Sequence, residues 1–278
     1  MTIKETLKKA ICLLNTKAIE EPILKSKILL SNCLNKPKEF LFIHENDELS
    51  LEIEKEFFKK IDKLCNNVPL QYITNQQEFM GLNFYVNENV LIPRSDTEVL
   101  VEAVINNIYK EKSIKILDMC TGSGIVAVAL AKNCPKVEIT AIDKSSDALE
   151  VAIKNAKLND VQDKIKFIKS DMFESINEKY DIIVSNPPYI ETEIIKTLSK
   201  DVQNEPKMAL DGGRDGLDFY KIIAKNVNGF LKENGKVFLE IGYNQKETVT
   251  KIFKEIERFK NITCIKDLAG LDRVIIAR

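Results

Sequence analysis

The chain has 278 residues, of which 44% are hydrophobic and 30% charged, and its formal net charge at pH 7 is −1. That length is enough for two domains, and the near-neutral balance excludes a global basic field for holding nucleic acid. No apolar run reaches the roughly 18 residues of a membrane span, and the N-terminal "MTIKETLKKA" lacks a signal-peptide core. We expect a cytoplasmic monomer that contacts neither membrane nor nucleic acid directly.

The six cysteines are scattered along the chain and form no C-x-x-C pair. Because His44 is the only histidine, the set cannot complete a typical metal site. We expect no metal and interpret the cysteines as small buried apolar residues: Cys12, Cys33, Cys65, Cys120, Cys134 and Cys264.

Residues 1–75 predict a bundle of short amphipathic helices. "TIKE" at 2–5 has capping-box spacing, a second helix begins after Pro22, and a third fills 51–65. The second helix is expected to turn four aliphatic side chains inward, namely Ile23, Ile28, Leu29 and Leu34. We interpret this segment as a separate helical domain.

Residues 76–94 carry aromatic and β-branched residues interrupted by Gly81 and Asn87, a pattern that favours a hairpin linker. "SDTE" at 95–98 then has capping-box spacing and opens a helix predicted to run through Lys110. The second domain is therefore expected to span 95–278.

Beyond residue 112, apolar strands and helices alternate. Strands are predicted at 114–119, 137–143, 165–170, 180–185 and 236–242, and helices at 125–133, 146–158 and 216–231. The tail 273–278 is interpreted as a last strand, inserted at an edge. Such alternation indicates a doubly wound α/β domain with a mostly parallel sheet covered on both faces.

Polar signals follow three of these strands, where ligands bind in an open parallel sheet. Asp118 ends the first strand, and Gly122 and Gly124 open the next helix, where glycines allow a ligand to approach the backbone closely. The alternative is a tight strand-to-helix turn that binds no ligand. Asp143, 19 residues after Gly124, could accept both hydroxyls of an adenosine ribose or cap a helix. Asp171 suits an adenine amine or is an exposed turn acid. At this point the ligand is an adenosine compound, either a dinucleotide or S-adenosylmethionine.

The stretch "SNPPYI" at 185–190 ends the fourth strand. The proline rings restrict the backbone there, so that Asn186 and the carbonyl of Pro187 form a rigid pair of acceptors. Two acceptors suit a planar NH2 group, and Tyr189 would pack against it and exclude water. The alternative is a strand-ending turn without chemistry.

Taken in order, these motifs resemble S-adenosylmethionine-dependent methyltransferases that act on planar amino groups. Further stretches look like the HemK/PrmC family, namely "PLQYI" at 69–73, "EFMGLNFYV" at 78–86, "LIPRSDTEVLVE" at 91–102, "EP" at 205–206, "ALDGGRDGLDFY" at 209–220 and "LEIGYNQ" at 239–245. The resemblance implies a Rossmann-like methyltransferase domain joined by a β-hairpin to a helical domain that binds class I peptide chain release factors. It also implies methylation of the glutamine in their Gly-Gly-Gln motif.

The resemblance further implies a set of site residues. The expected catalytic residues are Asn186, Pro187 and Tyr189. Together with Pro188 they are also expected to bind the substrate. The expected cofactor contacts are Asp118, Cys120, Thr121, Gly122, Ser123, Gly124, Asp143, Asp171, Met172 and Asn186. Two residues depart from the family pattern: Cys120 replaces a glycine, which implies a negative φ or tolerated strain, and Met172 replaces an aromatic residue that would stack on adenine.

Other interpretations remain open from the residues. His44 is expected to be a helix-end surface residue, and Glu205 either orients the substrate loop or is a solvated acid. We expect no general base, because the nitrogen becomes acidic once methylated. The enzyme alternative is an N6-adenine methyltransferase on DNA or RNA, disfavoured by the near-neutral charge. The non-enzyme alternative is a cofactor-binding adaptor.

Overall fold

A computed structural model describes residues 1–108 and 113–278. The helix predicted to run through Lys110 ends at Ile105, so that prediction is too long; its last two residues, 109 and 110, lie outside the described ranges. The chain forms two compact units: residues 1–75 with 199–204, and residues 76–198 with 205–278.

The first unit is helical. Its helices are α1 (Ile3–Thr16), α2 (Pro22–Leu34), α3 (Phe40–Ile43), α4 (Leu51–Cys65) and α5 (Leu70–Thr74). The predicted capping box is present, because Thr2 and Glu5 each accept the other's backbone N–H. Leu29 and Leu30 are buried as a helical stripe requires, but Ile23 is 55% exposed, so its predicted burial is wrong. It lies in the first turn of α2, before the first buried residue of that stripe.

The predicted hairpin is present but shorter than 76–94. Strand β1 (Gln77–Phe79) pairs antiparallel with β2 (Leu82–Phe84). The two turn residues, Met80 and Gly81, both have positive φ (51° and 73°), as a tight two-residue hairpin turn requires. The hairpin belongs to the second unit.

A seven-stranded sheet forms the centre of the second unit. Its strands are β3 (Ile114–Met119), β4 (Val137–Asp143), β5 (Ile165–Lys169), β6 (Tyr180–Ser185), β7 (Leu231–Glu240), β8 (Ile262–Lys266) and β9 (Asp272–Ala277), in the order β5-β4-β3-β6-β7-β9-β8. The first five strands in this order, from β5 through β7, are parallel to one another, whereas β9 is antiparallel to both of its neighbours. β9 is therefore inserted between β7 and an edge strand, β8, that the sequence analysis missed.

Helices cover both faces of the sheet. The helices of the second unit are α6 (Glu98–Ile105), α7 (Ile125–Asn133), α8 (Ser146–Leu158), α10 (Lys207–Leu210), α11 (Asp218–Phe230) and α12 (Lys246–Lys254), whereas α9 (Lys200–Gln203) belongs to the first unit. Alternate strand residues enter opposite cores: Ile116 packs with α6 and α7, and Leu117 with α11 and α12. This confirms the doubly wound α/β fold.

The strand order reverses at β3: β4 and β5 are added on one side of it, and β6 and β7 on the other. Ligand sites in such sheets lie outside the carboxyl ends of the strands at this switch point. Within the two described ranges, no helix is long and apolar enough to cross a membrane.

Candidate active site

A cavity of about 580 Å³ opens at the carboxyl ends of β3 to β6. Its wall includes residues from all four strand ends, namely Asp118, Asp143, Asp171 and Asn186. The volume lies within the range of roughly 300–1,000 Å³ that small-molecule sites occupy. The parallel sheet thus brings together residues up to 68 positions apart, from 118 to 186.

The loop after β3 is fixed around a buried carboxyl group. Asp118 is 1% exposed, and the Thr121 hydroxyl donates to its Oδ2 over 2.5 Å. Burial raises the pKa of Asp118 to about 7, while the Thr121 hydrogen bond opposes that rise. A carboxyl group in this position favours a ligand that carries positive charge nearby.

The two glycines of this loop serve different purposes. Gly122 has φ +54°, and a Cβ built there meets no atom within 4 Å, so the backbone leaves open space beside the cavity. Gly124 has φ +81°, and its Cβ would lie 3.0 Å from the Cβ of Ala152, so it permits close packing of α7 on α8.

Cys120 has φ +58°. Of the two alternatives that the sequence left for this residue, the structure therefore selects tolerated backbone strain. Burial raises the pKa of its thiol well above the ordinary value, so Cys120 is a neutral wall residue.

Asp143 joins two loops. Its Oδ2 accepts the N–H of Gly122 and its Oδ1 that of Ser145, each over 2.9 Å. Burial raises the pKa of this carboxyl group, and these backbone hydrogen bonds oppose the rise. The cap of α8 is Ser145, whose hydroxyl accepts the N–H of Ala148, so the helix-cap alternative for Asp143 is wrong.

The turn after β5 forms another wall of the cavity. Asp171 pairs with Lys144, whose Nζ lies 2.5 Å from Oδ2, and both residues line the cavity. The next residue, Met172, has φ +49°, and its carbonyl accepts from the buried Ser170 hydroxyl over 2.8 Å. These bonds hold the turn in place. Met172 lines the cavity there, and its thioether side chain offers no aromatic ring for stacking.

The Asn-Pro-Pro-Tyr corner follows β6 directly. Asn186 and Pro188 line the cavity, and Pro187 is buried beside them. The Asn186 amide nitrogen donates to Thr97 Oγ1 over 3.1 Å. Because that nitrogen is engaged, the side-chain oxygen is the atom that Asn186 offers to a ligand.

Tyr189 is arranged differently from the sequence-based expectation. Its hydroxyl donates over 3.3 Å to Oε1 of Glu240, which is 1% exposed at the end of β7. A buried carboxyl group requires such donors. Burial raises the pKa of Glu240 to about 7, against hydrogen bonds from Thr97 and Tyr189 and the charge of Arg273. The phenol hydroxyl is therefore committed to the interior.

The glycine-rich segment 211–216 packs directly on this corner. A Cβ on Gly212 would lie 2.7 Å from Tyr189 Cα and 2.9 Å from the Pro188 carbonyl oxygen. Gln245 adds a clamp, since its Nε2 donates to the carbonyls of Tyr189 and Gly216 over 3.0 and 3.2 Å. The sequence analysis did not assign a role to these residues, although "DGGRDG" itself indicated a close backbone approach.

Glu205 is not a solvated acid. It is 5% exposed, accepts the N–H of Ile92 over 2.9 Å, and forms an ion pair with Arg94. The segment that it anchors supplies Leu91, Pro93 and Arg94 to the cavity wall. Glu205 is thus a structural support of the site.

The remaining candidates lie elsewhere. His44 is in the first unit, 2.7 Å from Asp47 and stacked on Phe40. Cys134 is buried, but Cys12 is exposed and the other four cysteines are partly exposed, so their uniform burial was a wrong expectation. The described residues contain no group of three His, Cys, Asp or Glu side chains that could hold a metal ion.

Comparisons with known proteins identify the family of the chain. The PrmC N-terminal domain family matches residues 5–74, and the Methyltransferase small domain family matches residues 95–214. The release factor glutamine methyltransferase of Clostridium botulinum is 40% identical over 100% of this chain and 99% of its own. That of Clostridium acetobutylicum is 41% identical over 100% and 98%.

Among solved structures, a T. thermophilus 16S rRNA methyltransferase in complex with AdoMet and guanosine has a TM-score of 0.51. It is 18% identical, over 73% of this chain and 49% of that one, and shares the fold. The fold is Rossmann-like, and the match to the Methyltransferase small domain family together with the two full-length relatives makes the protein a methyltransferase. The full-length similarity is more specific: the chain belongs to the release factor glutamine methyltransferase family.

Proposed function

We propose that this protein transfers a methyl group from S-adenosylmethionine to the glutamine side-chain nitrogen in the Gly-Gly-Gln motif of class I peptide chain release factors. The observation that carries the proposal is the Asn186 side chain at the end of β6, which lines a cavity of cofactor size and whose amide nitrogen donates to Thr97, so that its oxygen is the acceptor offered to a substrate amide. The full-length relatives are named release factor glutamine methyltransferases, which supports the same substrate.

The residues at the other end of the cavity fit the cofactor. Asp118, Asp143 and Asp171 give this end three carboxyl groups, which suit a cationic ligand whose ribose and adenine present donors. Gly122 leaves room for close approach to the main chain. Bound there, S-adenosylmethionine would supply an electrophilic methyl group. The residues proposed to hold it are Asp118, Cys120, Thr121, Gly122, Ser123, Gly124, Asp143, Asp171, Met172 and Asn186.

At the substrate end, the chain positions a poor nucleophile. An amide nitrogen has a delocalised lone pair, so it reacts only when it is oriented and its developing charge is stabilised. Asn186 Oδ1 and the Pro187 carbonyl each accept one N–H of the glutamine amide. Pro188 and Tyr189 keep this corner rigid. One of the two held hydrogens leaves as a proton after transfer, so no general base is assigned.

Residues 1–75 are proposed to recognise the release factor. A single glutamine side chain offers little surface, so choosing among many glutamines requires contacts away from the reacting nitrogen. Two apolar residues of α3 are available, Phe42 (62% exposed) and Ile43 (78% exposed). Because the proposed partner is a translation factor and the formal net charge is −1, we propose a cytoplasmic monomer without direct nucleic-acid binding.

The function is tested by incubating the protein with S-adenosylmethionine and release factor, DNA or RNA in parallel. We expect one added methyl on the Gly-Gly-Gln glutamine, located by mass spectrometry of the peptide. Asn186→Ala is expected to lower turnover by roughly two to three orders of magnitude with cofactor binding nearly intact, because a preorganised acceptor acts mainly in the transition state. Methylation of DNA or RNA instead of the release factor would overturn the assignment.

The cofactor site is tested at Asp143. We expect Asp143→Ala to weaken S-adenosylmethionine binding about ten- to several-hundred-fold, since charge-assisted hydrogen bonds are lost. Asp147→Ala is the matched control, because Asp147 is an exposed acid in the first turn of α8. Calorimetric titration should show no change for the control; equal dissociation constants for both variants would remove Asp143 from the cofactor site.

The recognition surface is tested in the full-length chain. The double variant Phe42→Ser, Ile43→Ser should lower kcat/KM on the intact release factor at least about fivefold, because buried apolar contacts contribute most to such interfaces. A short Gly-Gly-Gln peptide should react as with the wild type. Leu268→Ser, at a fully exposed residue of the second unit, serves as control. An equal loss on both substrates would contradict recognition by α3.

A further inference from the structure

Positive charge in the cavity wall is confined to two side chains. Of the described residues that line the cavity, only Arg94 and Lys144 are cationic. Lys144 pairs with Asp171 at the end proposed for the adenosine group, its Nζ lying 2.5 Å from Oδ2. Arg94 lies at the other end. Neither the acceptor corner nor the carboxyl groups of the cavity account for a guanidinium group there.

Arg94 is linked to the acceptor corner through Thr97. The Thr97 N–H donates to the Arg94 carbonyl over 3.1 Å, and the Thr97 hydroxyl oxygen accepts from the Asn186 amide nitrogen, also over 3.1 Å. Glu205, the ion-pair partner of Arg94, directly precedes Pro206, which lines the cavity. Arg94 therefore belongs to the end of the cavity where the methyl group is proposed to be transferred.

Glu205 holds the guanidinium group from outside the cavity. Its side chain is 2% exposed and is not part of the cavity wall. Oε1 of Glu205 accepts from Arg94 Nη2, and Oε2 accepts the Ile92 N–H over 2.9 Å. A guanidinium group carries five N–H donors in a planar fork, so N–H groups of Arg94 remain for a ligand in the cavity. Because the carboxylate that orients Arg94 is buried behind it, the cavity wall carries the positive charge at this point.

We propose that Arg94, oriented by Glu205, binds the carboxylate of the S-adenosylmethionine amino-acid chain. This carboxylate is the only anionic group of the cofactor, and its chain is attached to the same sulfur as the methyl group. A methyl group that faces Asn186 therefore brings the carboxylate to the Arg94 end of the cavity. The two oxygens of a carboxylate match the guanidinium fork. The inference rests on the cofactor of the proposed function and not on which nitrogen is methylated.

The test compares two ligands that differ at one group: S-adenosylmethionine, and decarboxylated S-adenosylmethionine, in which a hydrogen atom replaces the carboxylate. Arg94→Met removes the charge and the fork in the full-length chain. We expect the calorimetric Kd for S-adenosylmethionine to rise about 10- to 100-fold, because charge-assisted hydrogen bonds are lost. The Kd for the decarboxylated ligand should rise no more than about threefold, since that ligand has no anion for Arg94 to bind.

Two variants serve as controls. Arg94→Lys keeps a positive charge beside Glu205 but not the fork, so its Kd for S-adenosylmethionine should lie between those of wild type and Arg94→Met. Arg278→Met, at an exposed arginine outside the cavity wall, should leave both Kd values unchanged.

A second variant covers the case in which Arg94→Met does not fold, since it leaves a buried carboxylate without its cation. The double variant Arg94→Met, Glu205→Gln then replaces it, because a glutamine oxygen can still accept the Ile92 N–H. The same change in ligand preference is expected. A purely structural effect would instead weaken the binding of both ligands equally.

The outcomes separate this inference from the proposed function. An unchanged Kd for S-adenosylmethionine, or an equal rise for both ligands, would overturn the carboxylate contact. A loss confined to the KM for the release factor would also overturn it and would place Arg94 against the protein substrate. A wild-type protein that methylates DNA or RNA instead of glutamine would overturn the proposed function and leave the ligand comparison intact.

Discussion

The site depends on one packing constraint: the corner 186–189 is fixed through its main chain. Gly212 lies so close that a Cβ would be 2.7 Å from Tyr189 Cα, and Gln245 binds the Tyr189 carbonyl over 3.0 Å. Proline rings restrict the same segment from within. Under the proposed function, acceptors in this corner would need no reorganisation when the substrate amide binds, which is the condition under which a hydrogen bond contributes most to catalysis.

The parallel sheet supplies the second condition, which is proximity. Asp118, Asp143 and Asn186 end three adjacent strands, and their carboxyl ends open on one cavity. The carboxyl groups at one end and the neutral acceptors at the other give the cavity two different chemical environments. A cationic methyl donor and a neutral amide are suited to these two ends, which is consistent with the family to which the chain belongs.

Much of this could be predicted from the sequence because it is local. The strands β3, β4 and β6 have near-continuous apolar runs, and the Asn-Pro-Pro-Tyr corner is unambiguous as a strand end. What could not be predicted depends on distant residues. Thr97, Glu240 and Gln245 are distant in sequence from the corner 186–189, and they hydrogen-bond to it only in the folded protein. Glu205 is buried because Ile92 and Arg94 lie against it. The edge strand β8 was missed because it is only five residues long and two of them, Thr263 and Lys266, are polar, so its apolar signal is weak.

The most direct measurement of the central claim is the kinetics of Gly212→Ala against Gly229→Ala. A Cβ at Gly229 meets no atom within 4 Å, whereas one at Gly212 would lie 2.7 Å from Tyr189 Cα and 2.9 Å from the Pro188 carbonyl oxygen, so the corner has to move. We predict that Gly212→Ala loses roughly two orders of magnitude in turnover, with S-adenosylmethionine affinity within about threefold of wild type, and that Gly229→Ala behaves as the wild type. Unchanged turnover in Gly212→Ala, or a parallel loss of cofactor binding, would contradict the account.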